Sequence, residues 1–259
     1  MTHDRKAVWG WALYDWANSA FATTVMAGFF PVFFKQYWSD GADVNLSTAQ
    51  LGFGNAVAGL VMALLAPLLG AVADRTSAQK RFLLGFAYLG VLATAGLYWV
   101  AKGEWALAIF VFALGNIGFS GANIFYDALL PRVAPAERID AVSSLGYALG
   151  YLGGGLLFAL NVFMTLRPQM FGLPDAAAAV RLSFVSVALW WGGFTLFTLR
   201  WVPERRGGPD TPGLIAAVAD GARRLFSTLR HLRQYRPVLI FLAAYWFYID
   251  GVDTIIRMA

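Results

Sequence analysis

Three groups of polar residues stand inside otherwise apolar runs, and their spacing suggests a chemistry for each. Asn116, Ser120, Asn123 and Asp127 follow one another at steps of four, three and four. At 100° per residue they fall on one stripe of a helix. Such a stripe faces a polar solute or water, and the same residues would equally serve hydrogen bonds between helices. Asp250, Asp253 and Arg257 repeat the pattern at steps of three and four. Asp253 and Arg257 are spaced to pair on one helix face, which leaves Asp250 the less compensated acid. Near the N-terminus, Asp15 is flanked by Tyr14 and Asn18, with Ser19 one turn on. Asp15 either lines a polar cavity or reaches the nearby membrane interface.

Some chemistry is absent. The chain has no cysteine, so it has no disulfide, thiolate metal site or redox centre. Its two histidines, His3 and His231, fall in polar segments. No metal and no cofactor is expected. Any proton carried through the apolar runs must therefore ride on one of the aspartates.

Composition identifies the elements that hold these groups. Of 259 residues, 59% are apolar and 14% charged. Soluble domains average roughly 45–50% and about 25%. This excludes a soluble enzyme or binding module, and an aromatic share of 16% excludes disorder. A membrane helix needs about 20 mostly apolar residues. Six runs qualify, at 8–34, 50–73, 82–101, 105–130, 140–165 and 180–202, and a seventh lies at 237–259. The first is expected to be a span rather than a cleaved leader, because no small-residue cleavage site follows it before Lys35.

Lys and Arg placement predicts the orientation. With a cytoplasmic N-terminus, the inner loops hold fifteen basic residues, from Arg5 to Arg236. The outer loops hold four: Lys35, Lys102, Arg167 and Arg181. The basic residues thus read as topology signals, and nucleic acid is not an expected partner. Trp9, Trp11, Tyr14 and Trp16 at one end of the first span, with Tyr37 and Trp38 at the other, suggest interfacial aromatic belts. Between spans six and seven, Pro212 follows the capping candidates Asp210 and Thr211. Leu214, Val218, Leu225, Leu229 and Leu232 recur at helical spacing opposite Arg223, Arg224, Arg230 and Arg233. This predicts an amphipathic helix on the membrane surface. The division is a six-helix half at 1–202, a linker at 203–236 and one further helix at 237–259. Gly146, Gly150, Gly153, Gly154 and Gly155 in span five predict close helix contact or a bend.

At Gly70, Asp74 and Arg75, followed by Lys80 and Arg81, the chain resembles the major facilitator superfamily, whose signature between spans two and three is G-x-x-x-D-R-x-G-R-R/K. Ser77 stands where that signature has its second glycine. The run Gly146 to Gly155 is similar to the superfamily's span-five pattern, with Tyr151 in place of proline. Asn116 and Asn123 stand in span four, where the family usually has an arginine. Tyr14-Asp15-Trp16-Ala17-Asn18-Ser19-Ala20, the Phe30-Pro31 pair and Leu129-Leu130-Pro131 resemble the autophagy-related vacuolar effluxer family and its bacterial relatives.

The resemblance implies an all-α membrane protein with a major-facilitator-type helical bundle, and twelve spans in two halves. The chain then reads as the first half plus the first helix of the second, with a missing C-terminal half expected. It also implies a secondary transporter of a small solute, amino acids for the fungal members, in the bacterial plasma membrane. Substrate or proton would pass Tyr14, Asp15, Asn18, Asn116, Asn123, Asp127, Asp250 and Asp253, with Gly70, Asp74 and Arg75 at a cytoplasmic gate. The partners are the solute, a coupling proton and the lipid bilayer. Three alternatives stay open: the membrane domain of an ATPase-driven pump, a seven-helix sensor, and an inert fragment.

Overall fold

A computed structural model describes residues 5–75, 78–204 and 236–258, with positions 219, 223, 227 and 230 between; at 71–75 and 253–258 it describes the backbone alone. The described residues form helices and short connections, with no strand. Among the described residues, six helices are long and apolar enough to cross a membrane. They are α1 (Arg5–Trp38), α2 (Val44–Arg75), α3 (Gln79–Trp99), α4 (Trp105–Val133), α5 (Ile139–Leu166) and α6 (Ala176–Trp201). α7 (Arg236–Met258) follows. The helices outrun the expected spans at several ends. α6, for example, begins at Ala176, where the Asp175 carboxylate accepts a hydrogen bond from the Ala178 backbone N–H at 2.8 Å. Of the linker, Ala219, Arg223, Ser227 and Arg230 are helical and exposed. The capping candidates and leucines expected there lie outside the described residues.

α1 runs through the centre of the bundle and packs on α4, α5 and α6; α3 lies against α4 and α6, and α2 against α4. Lipid offers no hydrophobic drive between helices, so small residues that admit close backbones decide the seams. A side chain added at Gly118 of α4 would collide with the backbone of Gly90 on α3. Along α5, Gly146, Gly150, Gly153 and Gly154 each face α1. Large apolar residues such as Leu64, Phe110, Leu156 and Leu189 point outward, as a lipid-facing surface requires.

α1 is not uniformly wound. Residues Phe21–Phe29 and Phe34–Trp38 are π-helical, with an α-helical turn at Phe30–Phe33 between them. Pro31 has no N–H to give to the preceding turn and its ring crowds the carbonyl four residues back. The wider π winding relieves that conflict, and the Phe30 N–H bonds the Val25 carbonyl five residues back.

Polar bonds tie the two ends of the bundle. At the end nearer the N-terminus, Thr198 of α6 donates to the Gly10 carbonyl at 2.7 Å. At the other end, Arg181 donates to the Tyr98 carbonyl at 2.8 Å. The aromatic belts are corrected. Trp9 is exposed, but Trp11, Tyr14 and Trp38 are buried packing elements, and Trp16 stacks on Trp190.

Candidate functional site

The polar groups of α1 meet α4 and α5 about ten residues, roughly 15 Å, into the bundle from Arg5. Asn18 is buried and its amide donates to the Asn123 side-chain oxygen at 2.5 Å, tying α1 to α4. Two sequence-predicted residues far apart in the chain are thereby joined. Asp15 is half-buried one turn before Ser19, whose hydroxyl donates to it at 3.2 Å. Asp127 is exposed but within electrostatic reach of Asp15.

Glycine on α5 makes room for these groups. A Cβ at Gly150 would lie 2.7 Å from the Ser19 hydroxyl oxygen and 3.0 Å from the Asp15 carboxyl carbon. One turn further on, the Thr23 hydroxyl donates to the Gly154 carbonyl at 3.2 Å and to that of Ser19 at 3.0 Å. One turn back, a Cβ at Gly146 would stand 3.0 Å from the Tyr126 hydroxyl. The glycine run therefore serves close contact, admitting polar groups at Gly150 and Gly154 and the Trp11 and Trp16 rings at Gly146 and Gly153.

Aromatic rings wall this cluster. Tyr126 stacks on Trp11, with ring centroids 4.3 Å apart, and leans on Tyr14 at 5.1 Å. The Trp11 indole N–H donates to the Tyr126 carbonyl at 3.0 Å. Tyr14 is fully buried, so it supports the cluster rather than lining an opening. Tyr147 of α5 is exposed at the rim, within electrostatic reach of Asp15, Asp127 and Tyr245 of α7. Sequence reasoning passed over Tyr126, although it stands one turn after Asn123 and beside Asp127.

Other expected site residues sit apart. Asn116 is buried on α4 about 10 Å from Asn123 along the axis, and its amide nitrogen has no hydrogen-bond partner among the described residues. Asp250 is exposed on α7, which touches α1 at Phe21–Phe29. The side chains of Asp253 and Arg257 lie outside the described residues, as do those of Asp74 and Arg75. Gly70 lies within α2 with open space where a side chain would stand. The neighbouring Lys80 does something its sequence position did not announce. Its ammonium donates to the Leu199 and Val202 carbonyls, each at 2.7 Å, and so caps the last turn of α6.

At the opposite end of α1, a groove of about 530 Å³ opens between α1, α5 and α6. Its walls are mostly apolar, among them Phe29, Val32, Phe158 and Val180, with Gln36 and Thr165 as polar points. No group of three or more potential metal ligands occurs among the described residues.

Comparison with known proteins finds relatives whose names are those of transporters and effluxers. The family model described as vacuole effluxer Atg22 like matches residues 3–51 and 47–259. The uncharacterized MFS-type transporter YxiO of Bacillus subtilis (strain 168) is 40% identical over 96% of this chain and 58% of its own length. Autophagy-related protein 22 of Coccidioides immitis (strain RS) is 20% identical over 97% of this chain and 58% of its own. Autophagy-related protein 22-1 of Penicillium rubens is 19% identical over 97% and 61%. The chain thus spans about three-fifths of the length of these relatives. No solved structure matches it.

Proposed function

The chain belongs to the vacuole effluxer Atg22-like family of multi-pass membrane proteins, and from that premise we propose that it works as a secondary transporter exporting a small solute, amino acids first among the classes to test. Residues 1–202 act as one six-helix half, 203–236 as a cytoplasmic linker and 237–259 as the first helix of the other half. Solute is handled between the halves by alternating access. The protein resides in the plasma membrane with its N-terminus inside, a reading supported by the basic bias of the loops. Membership in the family leaves no observation in favour of a pump domain or a sensor.

The observation that carries the reading is the clustering of the Asp15–Ser19 and Asn18–Asn123 hydrogen-bonded pairs inside an apolar bundle, with Tyr126 and Asp127 within electrostatic reach of Asp15. Ionisable groups within a bilayer are costly, and where retained they mark solute or proton pathways. The contact of α7 with α1 supports a site shared between halves. Asp15 or Asp127 carries a coupling proton, and Asp74 with Arg75 closes the cytoplasmic gate by charge contacts.

The test is efflux of labelled amino acids from preloaded vesicles containing the protein. Export above that of empty vesicles, stimulated by a proton gradient and lost in Asp15→Asn, is the expected result. Equal release from both vesicle types across the amino-acid panel would overturn the amino-acid assignment. If Asp15→Asn, Asp127→Asn and Asp250→Asn all retained gradient-driven export, the proton-carrier role would be dropped.

A further inference from the structure

The apolar groove beside the far end of α1 takes no part in the polar cluster. It runs along α5 from Phe158 to Thr165, about 10 Å. At its deep end the Phe29 and Phe158 rings meet at 5.8 Å, and a Cβ at Gly28 would stand 2.6 Å from the Phe158 ring. Its other end lies where α1 and α5 finish and α6 begins, at Gln36, Thr165 and Ala176. Val32 on its wall is 52% exposed, so the groove is open along its side.

Charge is unevenly matched at that end of the bundle, where the sequence places Lys35, Lys102, Arg167 and Arg181. Lys102 pairs with Asp40 at 3.0 Å. Arg181 donates to the Tyr98 carbonyl at 2.8 Å and lies 4.9 Å from the centre of that ring. Lys35 and Arg167 have no ion pair among the described residues. Both stand beside the groove, Lys35 next to Gln36 and Arg167 two residues past Thr165. The start of α6 adds partial positive charge. Asp175 takes the Ala178 and Ala179 N–H groups, with its carboxylate turned to the first of them. The N–H groups of Ala176 and Ala177, both on the groove wall, lie ahead of the helical ladder.

The geometry points to an anionic phospholipid as the occupant, with one acyl chain along Phe29, Phe158 and Val180 and the phosphate between Lys35 and Arg167. The site is separate from the polar cluster and does not depend on which solute the protein moves. An apolar groove open to hydrocarbon accepts a chain that the bilayer itself supplies. The phosphate then lies at the level where the helices end, and basic residues at that level attract anionic lipid. A zwitterionic lipid would bring an ammonium beside the two cations, and a neutral one would leave them without a counter-charge. A helix of a second copy would need acids at the same level, or it would bury two unpaired cations at high cost.

Native mass spectrometry of the purified chain in detergent reads the occupant directly, with dioleoylphosphatidylglycerol and dioleoylphosphatidylcholine added in turn. The first lipid bound is expected to be phosphatidylglycerol, held about tenfold more tightly than phosphatidylcholine. The double variant Lys35→Gln, Arg167→Gln is expected to lose that preference and keep its affinity for phosphatidylcholine. Lys102→Gln, which removes a cation already paired at the same end, is expected to keep the preference. Val32→Trp, at an exposed wall position, is expected to weaken both lipids several-fold by filling the groove. Because these variants replace exposed or half-buried side chains, each is checked for an unchanged melting temperature without lipid, and the phosphatidylglycerol-dependent rise in melting temperature gives a second reading of the same site. The proposal falls if the two lipids bind equally, or if the double variant and Lys102→Gln behave alike. It falls also if glycerophosphoglycerol, the headgroup without chains, binds as tightly as the whole lipid. A dimer that forms in place of lipid adducts and is lost in Val32→Trp would assign the groove to a second copy and overturn it.

Discussion

The two halves of α1 solve the same problem in opposite ways. From Arg5 to Ala20 the helix is regularly wound, and it sets Asp15, Asn18 and Ser19 against glycines of α5 and an asparagine of α4. From Phe21 to Trp38 it is largely π-wound and filled with rings. There Phe30 stacks on Phe112 at 3.7 Å between centroids, and Trp38 stacks on Phe184 at 5.8 Å. The first half gains specificity from hydrogen bonds that only particular partners can make. The second gains stability from apolar contact that tolerates looser geometry, and it leaves a groove beside it. One helix thus carries side-chain hydrogen bonds in one half and ring packing in the other, and substitutions in the two halves should differ in kind.

The largest effect is expected from the ring-filled half. Phe30→Ala removes a fully buried ring and should destabilise the bundle by about 3–5 kcal/mol. Thermal unfolding in detergent would show it, and a change below about 1 kcal/mol would break the division. Next is Gly150→Val, which drives branched carbon into the Ser19 hydroxyl and the Asp15 carboxyl. Overpacking of this sort costs about 1–3 kcal/mol, and here it should abolish solute binding as well. In Asp15→Asn the effect should move from stability to function. Export is expected to fall about ten- to hundredfold, equivalent to about 1.4–2.7 kcal/mol, while the melting temperature holds or rises. A melting temperature that collapsed in Asp15→Asn would make the acid structural and erase the contrast. Lys80→Met should cost about 1–3 kcal/mol by stripping two charged hydrogen bonds from the end of α6. The smallest effect is expected for Pro31→Ala, within about 1 kcal/mol, because the surrounding rings hold the π winding; hydrogen exchange at Phe30 would report any change of register.

Some of the site was legible before the fold. Asn18 and Asn123 were each expected on a pathway, and each proved to be the other's partner. Asp15 and Asp127 were singled out on separate spans and lie within reach of one another. Tyr126 was not found, because tyrosine in an apolar run looks like packing until its hydroxyl proves to be unpartnered beside acids. Lys80 read as part of a basic loop, since a side chain that bonds two backbone carbonyls 119 and 122 residues away leaves no pattern in its own neighbourhood. The belt reading failed at Trp11 and Tyr14 because an amphipathic ring near a helix end suits an interface and a bundle interior equally.

By itself the sequence determined that the chain is helical and crosses a membrane, and roughly where each span runs. Those properties follow from local apolar length, because hydrocarbon admits no unpaired backbone. It also determined which polar residues stand out, because an ionisable group in an apolar run is conspicuous wherever the helix sits. Only the tertiary structure decided which of them meet. Helix seams in a bilayer are selected by close backbone approach and by individual hydrogen bonds, both of which depend on the rotation of each helix about its axis. That rotation placed Gly146, Gly150 and Gly154 beneath Tyr126, Asp15 and Thr23, and turned separate stripes into one cluster.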